Sequence, residues 1–524
     1  MNSIVRKILV ALVLVGITAA CAGPGPATEA PAPVENATKP VATEAPVVTE
    51  APEEKVLRIS YVEDILALDP TRNDMTGLQI FIRPNVYDGL LTYDQNGKFA
   101  PGLATSWTAV DDTTWELKLR KGVSFHNGEP FNAESVRFTF ETSYLDPENP
   151  LYSLFFQQVD RVEVVDDYTV RIHTKVPYGP LLSSLTTTAM LPPRAYNAEA
   201  FTRTAIGTGP FKFVEWVPGE RVVLVANDDY WGGRPAIDRV IWYPMPEATT
   251  RVAALRAGDV DIVFGIPGSD IDAIKSDPNL VILQVPGADT PVLSLGGRRA
   301  PYDNPLVRNA ISMAIDMKSI TETIMAGIAE PARSVISPTV FGFDPSAPEM
   351  KYDPVQAKEL MAEAGYADGF KATMIVPIGA HPNNVECAQA ISSMLSEIGV
   401  QVEVNASESG TIWSVLHSGE FEMFWNGWTS GTMDADENLW RNFHSISREG
   451  MNNPQVDSLL EAARSTVDQD KRQELYVELM PLLLDAPYRI PLFHLLDTWG
   501  VSAKVVGFSP QSSRMIYLAG VSLK

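Results

Sequence analysis

Seven aromatic residues crowd one stretch of this chain: Trp413, Phe421, Phe424, Trp425, Trp428, Trp440 and Phe443, interleaved with Asp434, Asp436 and Glu437. Indoles and carboxylates together make a recognition surface, in which rings supply apolar contact and acids orient a cation or an N–H group. The run Asn426-Gly-Trp-Thr-Ser-Gly-Thr-Met-Asp-Ala-Asp436 is polar and glycine-rich. That is loop composition, and loops on a rigid scaffold are where binding groups concentrate. Trp428, Asn426 and Thr429 are therefore candidate ligand contacts. Trp425 suits the wall of a site or the core equally, and Phe421 and Phe424 read as core. Asp434 and Asp436 serve either as an acidic anchor or as the cap of the helix that follows. His381, Trp413 and Tyr61 complete the candidate set.

Bond-making chemistry is not written in the same way. The chain has no Gly-x-Ser-x-Gly, no His-Glu-x-x-His and no Gly-x-x-x-x-Gly-Lys-Ser/Thr. Its six histidines, 126, 173, 381, 417, 444 and 494, show no ligand spacing. A binding protein without metal or cofactor is the reading these absences favour. A secreted hydrolase is the rival class, and it lacks a visible nucleophile.

The elements that must position these residues alternate between strand and helix. Val56–Tyr61 reads as a strand, with Tyr61 at its end. Trp115–Leu119 alternates apolar and polar, and Arg161–His173 has a hairpin pattern turning at Asp166-Asp167. Glu247–Ala257 reads as a helix closed by Gly258. Asp353 and Pro354 open a helix that Gly365 ends. Cys387, Ile391, Met394, Leu395 and Ile398 share one helical face, Gly399 stops that helix, and Val400, Val402 and Val404 alternate as the next strand. Such units imply an α/β fold.

The N-terminus carries an address. Met1–Lys7 is basic, Ile8–Ile17 is apolar, and Thr18-Ala-Ala-Cys21 ends in small residues and a cysteine. The ending resembles the lipobox of bacterial lipoproteins, with Thr18 where leucine is usual, which implies lipidation of Cys21. Thr-Glu-Ala-Pro recurs at 28–31, 43–46 and 49–52 in a proline-rich stretch from Ala22 to Glu54, which reads as a disordered spacer. Net charge is −24, a poor surface for nucleic acid. With Cys21 lipidated, Cys387 has no disulfide partner.

An ordered series of motifs runs through the rest. It comprises Asn85-Val-Tyr-Asp-Gly-Leu90, Pro101-Gly-Leu-Ala-Thr-Ser-Trp107, Leu119-Arg-Lys-Gly-Val-Ser-Phe-His-Asn-Gly-Glu-Pro-Phe131, Ala133-Glu-Ser-Val136, Gly207-Thr-Gly-Pro-Phe-Lys-Phe213, Asn227-Asp-Asp-Tyr-Trp-Gly-Gly-Arg-Pro235, Asn304-Pro-Leu-Val-Arg-Asn-Ala-Ile311 and Asn453-Pro-Gln-Val-Asp457. From about residue 56 onward the chain resembles the extracellular solute-binding proteins of family 5, the peptide/nickel-type receptors of ABC importers. The resemblance implies a two-lobe periplasmic-binding-protein-like α/β fold with the ligand cleft between lobes. It divides the chain into signal and Cys21 (1–21), linker (22–54), lobe I (55–89, 206–288 and 490–524), a β-rich module inserted in lobe I (90–205) and lobe II (289–489). It also implies that the module contributes little to binding and that the Gly207-Thr-Gly209 turn is structural.

Departures from the family bear on the ligand. Peptide receptors of this type hold the ligand amine with an aspartate three residues beyond the loop tryptophan, where this chain has Gly431. Dipeptide receptors also place an arginine in the stretch that reads Pro377-Ile-Gly-Ala-His-Pro-Asn-Asn384 here. The loop is more similar to that of the glutathione-type receptors. The expectation is a monomeric, lipid-anchored receptor on the outer face of the cytoplasmic membrane, handing a peptide or peptide-like solute to a membrane permease. An oligosaccharide or a metal chelate is the alternative ligand. A Cys21→Ala variant is expected to appear in the medium with ligand binding intact, checked by fractionation and titration of the released protein; loss of binding would contradict this division of labour.

Overall fold

A computed structural model describes residues 53–72, 78–94, 97–296, 299–408, 415, 421–446 and 451–524. Cys21, the linker up to residue 52, Trp413 and His417 lie outside the described residues. Among the described residues no helix is long and apolar enough to cross a membrane.

The first sheet grows from Val56–Tyr61, in which Leu57, Ile59 and Tyr61 are buried. This strand pairs in parallel with Arg239–Pro244 on one side and Ile262–Phe264 on the other. Seven strands follow the order 280–286, 493–502, 262–264, 56–61, 239–244, 221–226 and 211–217, and Ala329–Pro331 adds an eighth against Phe493–Ser502. Trp242, Tyr61 and Phe81 stack in its core at centroid distances of 5.2 and 4.4 Å around the Trp242 ring. Burying one such ring contributes about 4–6 kcal/mol before conformational entropy is subtracted.

The second sheet has five strands in the order 400–408, 370–378, 423–426, 292–295 and 489–491. Its parallel pair, Phe370–Ile378 and Val400–Glu408, is joined by the helix Asn384–Glu397. The predicted face of that helix is the buried one: Cys387, Ile391 and Leu395 are fully covered, and Met394 packs at the margin. Gly399 adopts φ 90°, the left-handed stop that the sequence required. The helices Ala248–Ala257 and Pro354–Glu363 likewise form where expected; the Asp353 carboxylate accepts from the Gln356 N–H at 2.9 Å.

The third sheet is antiparallel, in the order 104–111, 114–119, 169–174 and 159–166, and its hairpin turns at Asp167-Tyr168, one residue later than expected because Asp166 still pairs with Thr169. Apart from the excursion that brings Ala329–Pro331 back to the first sheet, the chain passes between the first two sheets at residues 287–291 and at Leu492. Apolar side chains of both sheets meet in one core, including Val263 and Ile266 from the first and Leu293 and Trp425 from the second. The observed class is the expected mixed α/β fold built on separate sheets.

The Gly207-Thr-Gly209 turn shows why its glycines are needed. His126 N–H donates to Gly207 O at 2.8 Å, Gly207 N–H donates to His126 Nδ1 at 3.3 Å, and His126 Nε2 lies 3.0 Å from Gly209 O. With Nδ1 accepting, Nε2 carries the hydrogen, so the ring is neutral; burial pushes its pKa down to about 4. A β-carbon on Gly207 would stand 2.0 Å from Val86 O, against rigid backbone. Gly207→Ala is therefore expected to destabilise the protein by about 1–3 kcal/mol in urea unfolding; an unchanged midpoint would show that the turn can yield.

Candidate functional site

The strand Met423–Asn426 carries the chain to the candidate loop. Its four residues are all buried, because it lies inside the second sheet between 370–378 and 292–295. Trp425 is accordingly in the core at 0 % exposure rather than on a wall. Its indole N–H donates to His381 Nδ1 at 3.0 Å, which leaves the imidazole hydrogen on Nε2, 3.2 Å from Asp289 Oδ2. Burial alone would raise the Asp289 carboxyl; His381 and Arg514 outweigh it and hold the group below its ordinary value. Asp289 sits in the 287–291 crossing, and Thr429 pairs with it through an isolated antiparallel bridge. His381 and Thr429 thus tie the loop to the crossing instead of facing a ligand. A β-carbon on Gly427 would meet His381 Nε2 at 2.7 Å and Asp289 Oδ1 at 2.8 Å, so only glycine lets the loop leave the sheet here.

Beyond Gly427 a cavity of about 490 Å³ opens, within the range of about 300–1,000 Å³ usual for small-molecule sites. Asn426, Trp428 and Asp436 line it. The helix Ala435–Phe443 supplies Trp440 and Arg441, the crossing supplies Thr290, and Arg464 and Arg489 close another side. The 90–205 stretch, which the resemblance sets apart from binding, contributes Ser153 and Leu154.

Trp428 is held by the same helix. Its indole N–H donates to Glu437 Oε1 at 3.1 Å, and the Arg441 guanidinium lies 4.4 Å from the ring centroid. Glu437 Oε2 accepts from Thr432 N–H at 2.9 Å, Thr432 Oγ1–H at 2.6 Å and Ser430 Oγ–H at 3.3 Å. One carboxylate therefore sets the whole loop. A β-carbon on Gly431 would lie 3.9 Å from Glu437 Oε1, so an aspartate there would place a second negative charge beside the first. Glycine avoids that repulsion.

The two aspartates separate in role. Asp434 is fully buried outside the cavity; it caps Ala435–Phe443 by accepting from Asp436 N–H at 3.0 Å. Its oxygens take a two-pronged contact from Arg472, both arms at 2.9 Å, and the Ser183 hydroxyl at 2.8 Å. Burial would raise its pKa, but Arg472 more than offsets this and holds the group ionised. The acidic-anchor reading fails for Asp434, whose acceptors are consumed inside the protein. Asp436 does line the cavity. Burial pushes its carboxyl up to about 6, with Asp434 adding repulsion, although Arg464 Nη1 lies 3.2 Å from Oδ2. Arg464 in turn lies 4.2 Å from the Trp440 ring centroid, and that ring stacks on His444 at 4.1 Å.

Tyr61, 2 % exposed, belongs to the first sheet's core between Trp242 and Phe264, and its place at a strand end was a poor guide. Sequence reasoning did not single out Arg441 and Arg464, which line the cavity, and counted Glu437 only among the interleaved acids. The i, i+4 spacing of Glu437 and Arg441 in the capped helix was the available signal.

A sequence profile described as Bacterial extracellular solute-binding proteins, family 5 Middle, matches residues 98–449. The heme-binding protein A of Haemophilus influenzae is 30% identical over 462 residues, covering 81% of this chain and 84% of that protein. The glutathione-binding protein GsiB of Salmonella choleraesuis is 31% identical over 454 residues, covering 83% and 88%. Among solved structures, the ABC transporter-associated periplasmic binding protein DppA from Helicobacter pylori, in complex with peptide STSA, superposes with a TM-score of 0.78 at 27% identity, covering 89% of this chain and 98% of that one.

Because Asp434 leaves Arg472 buried when removed, Asp434→Ala is expected to cost about 3–5 kcal/mol in urea unfolding. A loss below about 1 kcal/mol would show that the pair is dispensable.

Proposed function

Starting from the fact that this chain belongs to the bacterial extracellular solute-binding proteins of family 5, substrate-binding proteins of ABC importers, we propose that it captures a peptide-like solute in the Trp428 cavity and delivers it to a membrane permease while anchored by lipid on Cys21. The observation that carries the ligand class is the composition of the cavity wall. An acid paired with an arginine (Asp436 and Arg464), carboxamides (Asn426, Asn438, Asn442) and hydroxyls (Thr290, Ser153) surround the indoles of Trp428 and Trp440. Carboxamides offer both donors and acceptors, which suits the alternating N–H and C=O groups of a peptide-like backbone. The ligands that these relatives are named for, heme, glutathione and a peptide, are consistent with a solute of this size and mixed polarity.

Lobes at 55–89, 206–288 and 490–524 on one side and 289–489 on the other would rotate about the two crossings at 287–291 and Leu492. Closure is supported by contacts between the 90–205 module and the second lobe. Tyr93 OH donates to Thr432 O at 2.6 Å, Ser183 Oγ–H to Asp434, and Gly179 N–H to Arg464 O at 2.8 Å. To turn closure from rare to dominant, ligand must favour it by roughly 5.5 kcal/mol. The wall residues Trp428, Asp436 and Arg464 are placed to contribute that difference.

Mass spectrometry of the protein denatured after purification is expected to release a peptide-like solute, and recovery of a sugar or a metal chelate instead would sink this reading. With Asp436 as the acceptor of a ligand ammonium, affinity should fall as pH drops through about 6, roughly tenfold between pH 7 and pH 5. Trp428→Ala should weaken the same ligand by about 2–4 kcal/mol while leaving the unfolding midpoint in place. Calorimetric titration checks both, and pH-independent affinity would remove Asp436 from the anchor role.

A further inference from the structure

A second cavity, of about 180 Å³, shares no residue with the Trp428 site. Arg83, at the start of the helix Arg83–Val86, lines it and is 5 % exposed. A buried guanidinium ordinarily finds a carboxylate or a set of carbonyl groups, because an uncompensated charge is costly away from water. Arg83 has neither among the described residues. Its hydrogen bond runs from Nη2 to the thioether of Met515 at 3.3 Å, a weak acceptor that is shared with the Tyr517 hydroxyl at 3.4 Å. Its Nη1 is buried without a partner. Burial lowers the guanidinium's pKa, in keeping with a cation that lacks its counter-ion.

The cavity's one acid does not serve that purpose. Asp88 accepts from Thr208 Oγ1–H at 2.8 Å, Trp231 Nε1–H at 2.9 Å and Tyr230 OH at 3.1 Å. Burial raises its pKa, and these three donors, with Arg120 stacked 3.9 Å from the Trp231 ring centroid, work against that rise. Asp88 is thus engaged by its own donors, and the cationic group in the cavity wall is Arg83. The rest of the wall is largely apolar, including Leu91, Pro101 and Met515.

We propose that this cavity is a binding site for a small monocarboxylate, its oxygens on the Arg83 guanidinium and its apolar body against Leu91, Pro101 and Met515. The planar fork of arginine matches a carboxylate in two parallel hydrogen bonds, and the apolar wall selects a short hydrocarbon body over a symmetric inorganic anion. The site is independent of the cleft ligand.

Propionate is the probe, with 1-propanol as its uncharged counterpart and phosphate as the inorganic anion. Titrated into the full chain, propionate is expected to raise the unfolding temperature saturably, with propanol and phosphate producing no saturable shift. An Arg83→Met variant should weaken the propionate response about tenfold or more, the loss of a charge-assisted contact. Equal responses of the two proteins, a propanol response matching propionate, or a response to phosphate alone would overturn the assignment. A crystal of the unmutated protein soaked in 3-bromopropionate decides the matter without any variant: an anomalous bromine peak in this cavity supports the site, and its absence at saturating probe overturns it.

Discussion

The Asp434–Arg472 pair is the contact on which the binding half of the molecule depends. Both groups are out of water, and each satisfies the other's charge and geometry at once. Asp434 starts the helix Ala435–Phe443, which bears the groups that hold Trp428, and Arg472 belongs to the helix Gln469–Leu484 behind it. Ser183 reaches the same carboxylate from the helix Leu181–Leu185, about 250 residues earlier in the chain. Three pieces of chain far apart in sequence therefore converge on two oxygen atoms. A buried ion pair of this kind is weak evidence for net stability, since desolvation cancels much of the attraction, but breaking it strands a charge. It specifies an arrangement more than it strengthens one.

Much of the fold was legible because its signals are local. The alternation at Val400, Val402 and Val404, the apolar face from Cys387 to Leu395 and the stop at Gly399 are each decided within a few residues by periodicity and backbone sterics. The two-sheet layout was legible only through the motif series. No local pattern reveals that Val56–Tyr61 lies between strands that begin some 180 and 200 residues later.

The site was read less completely, for a physical reason. Composition identified the loop and its tryptophan, and Asn426, Trp428 and Asp436 do share a cavity. It did not tell a ligand-facing group from one consumed internally. Asp434 and Asp436 are two residues apart and chemically identical, yet one meets Arg472 and the other meets Arg464 at the cavity wall. Those partners come from other helices, so the distinction exists only in three dimensions. His381 and Trp425 show the same limit: each has the chemistry of a contact residue, and the indole N–H of Trp425 is spent on His381, whose other nitrogen faces Asp289.

That exchange has a mechanical consequence. Gly427 rests on His381 and Asp289, and Asp289 lies within one of the two crossings between sheets. A side chain at Gly427 would collide with both groups, so the start of the loop lies close against the side chains of His381 and of Asp289 in the crossing. Under the closure proposed above, a solute that displaces Trp428 would shift the pivot itself, and a rotation of the pivot would re-aim the indole. Reading the cargo and shutting the jaws would then be a single degree of freedom, so a solute that fits the loop poorly would leave the jaws ajar without any separate sensor.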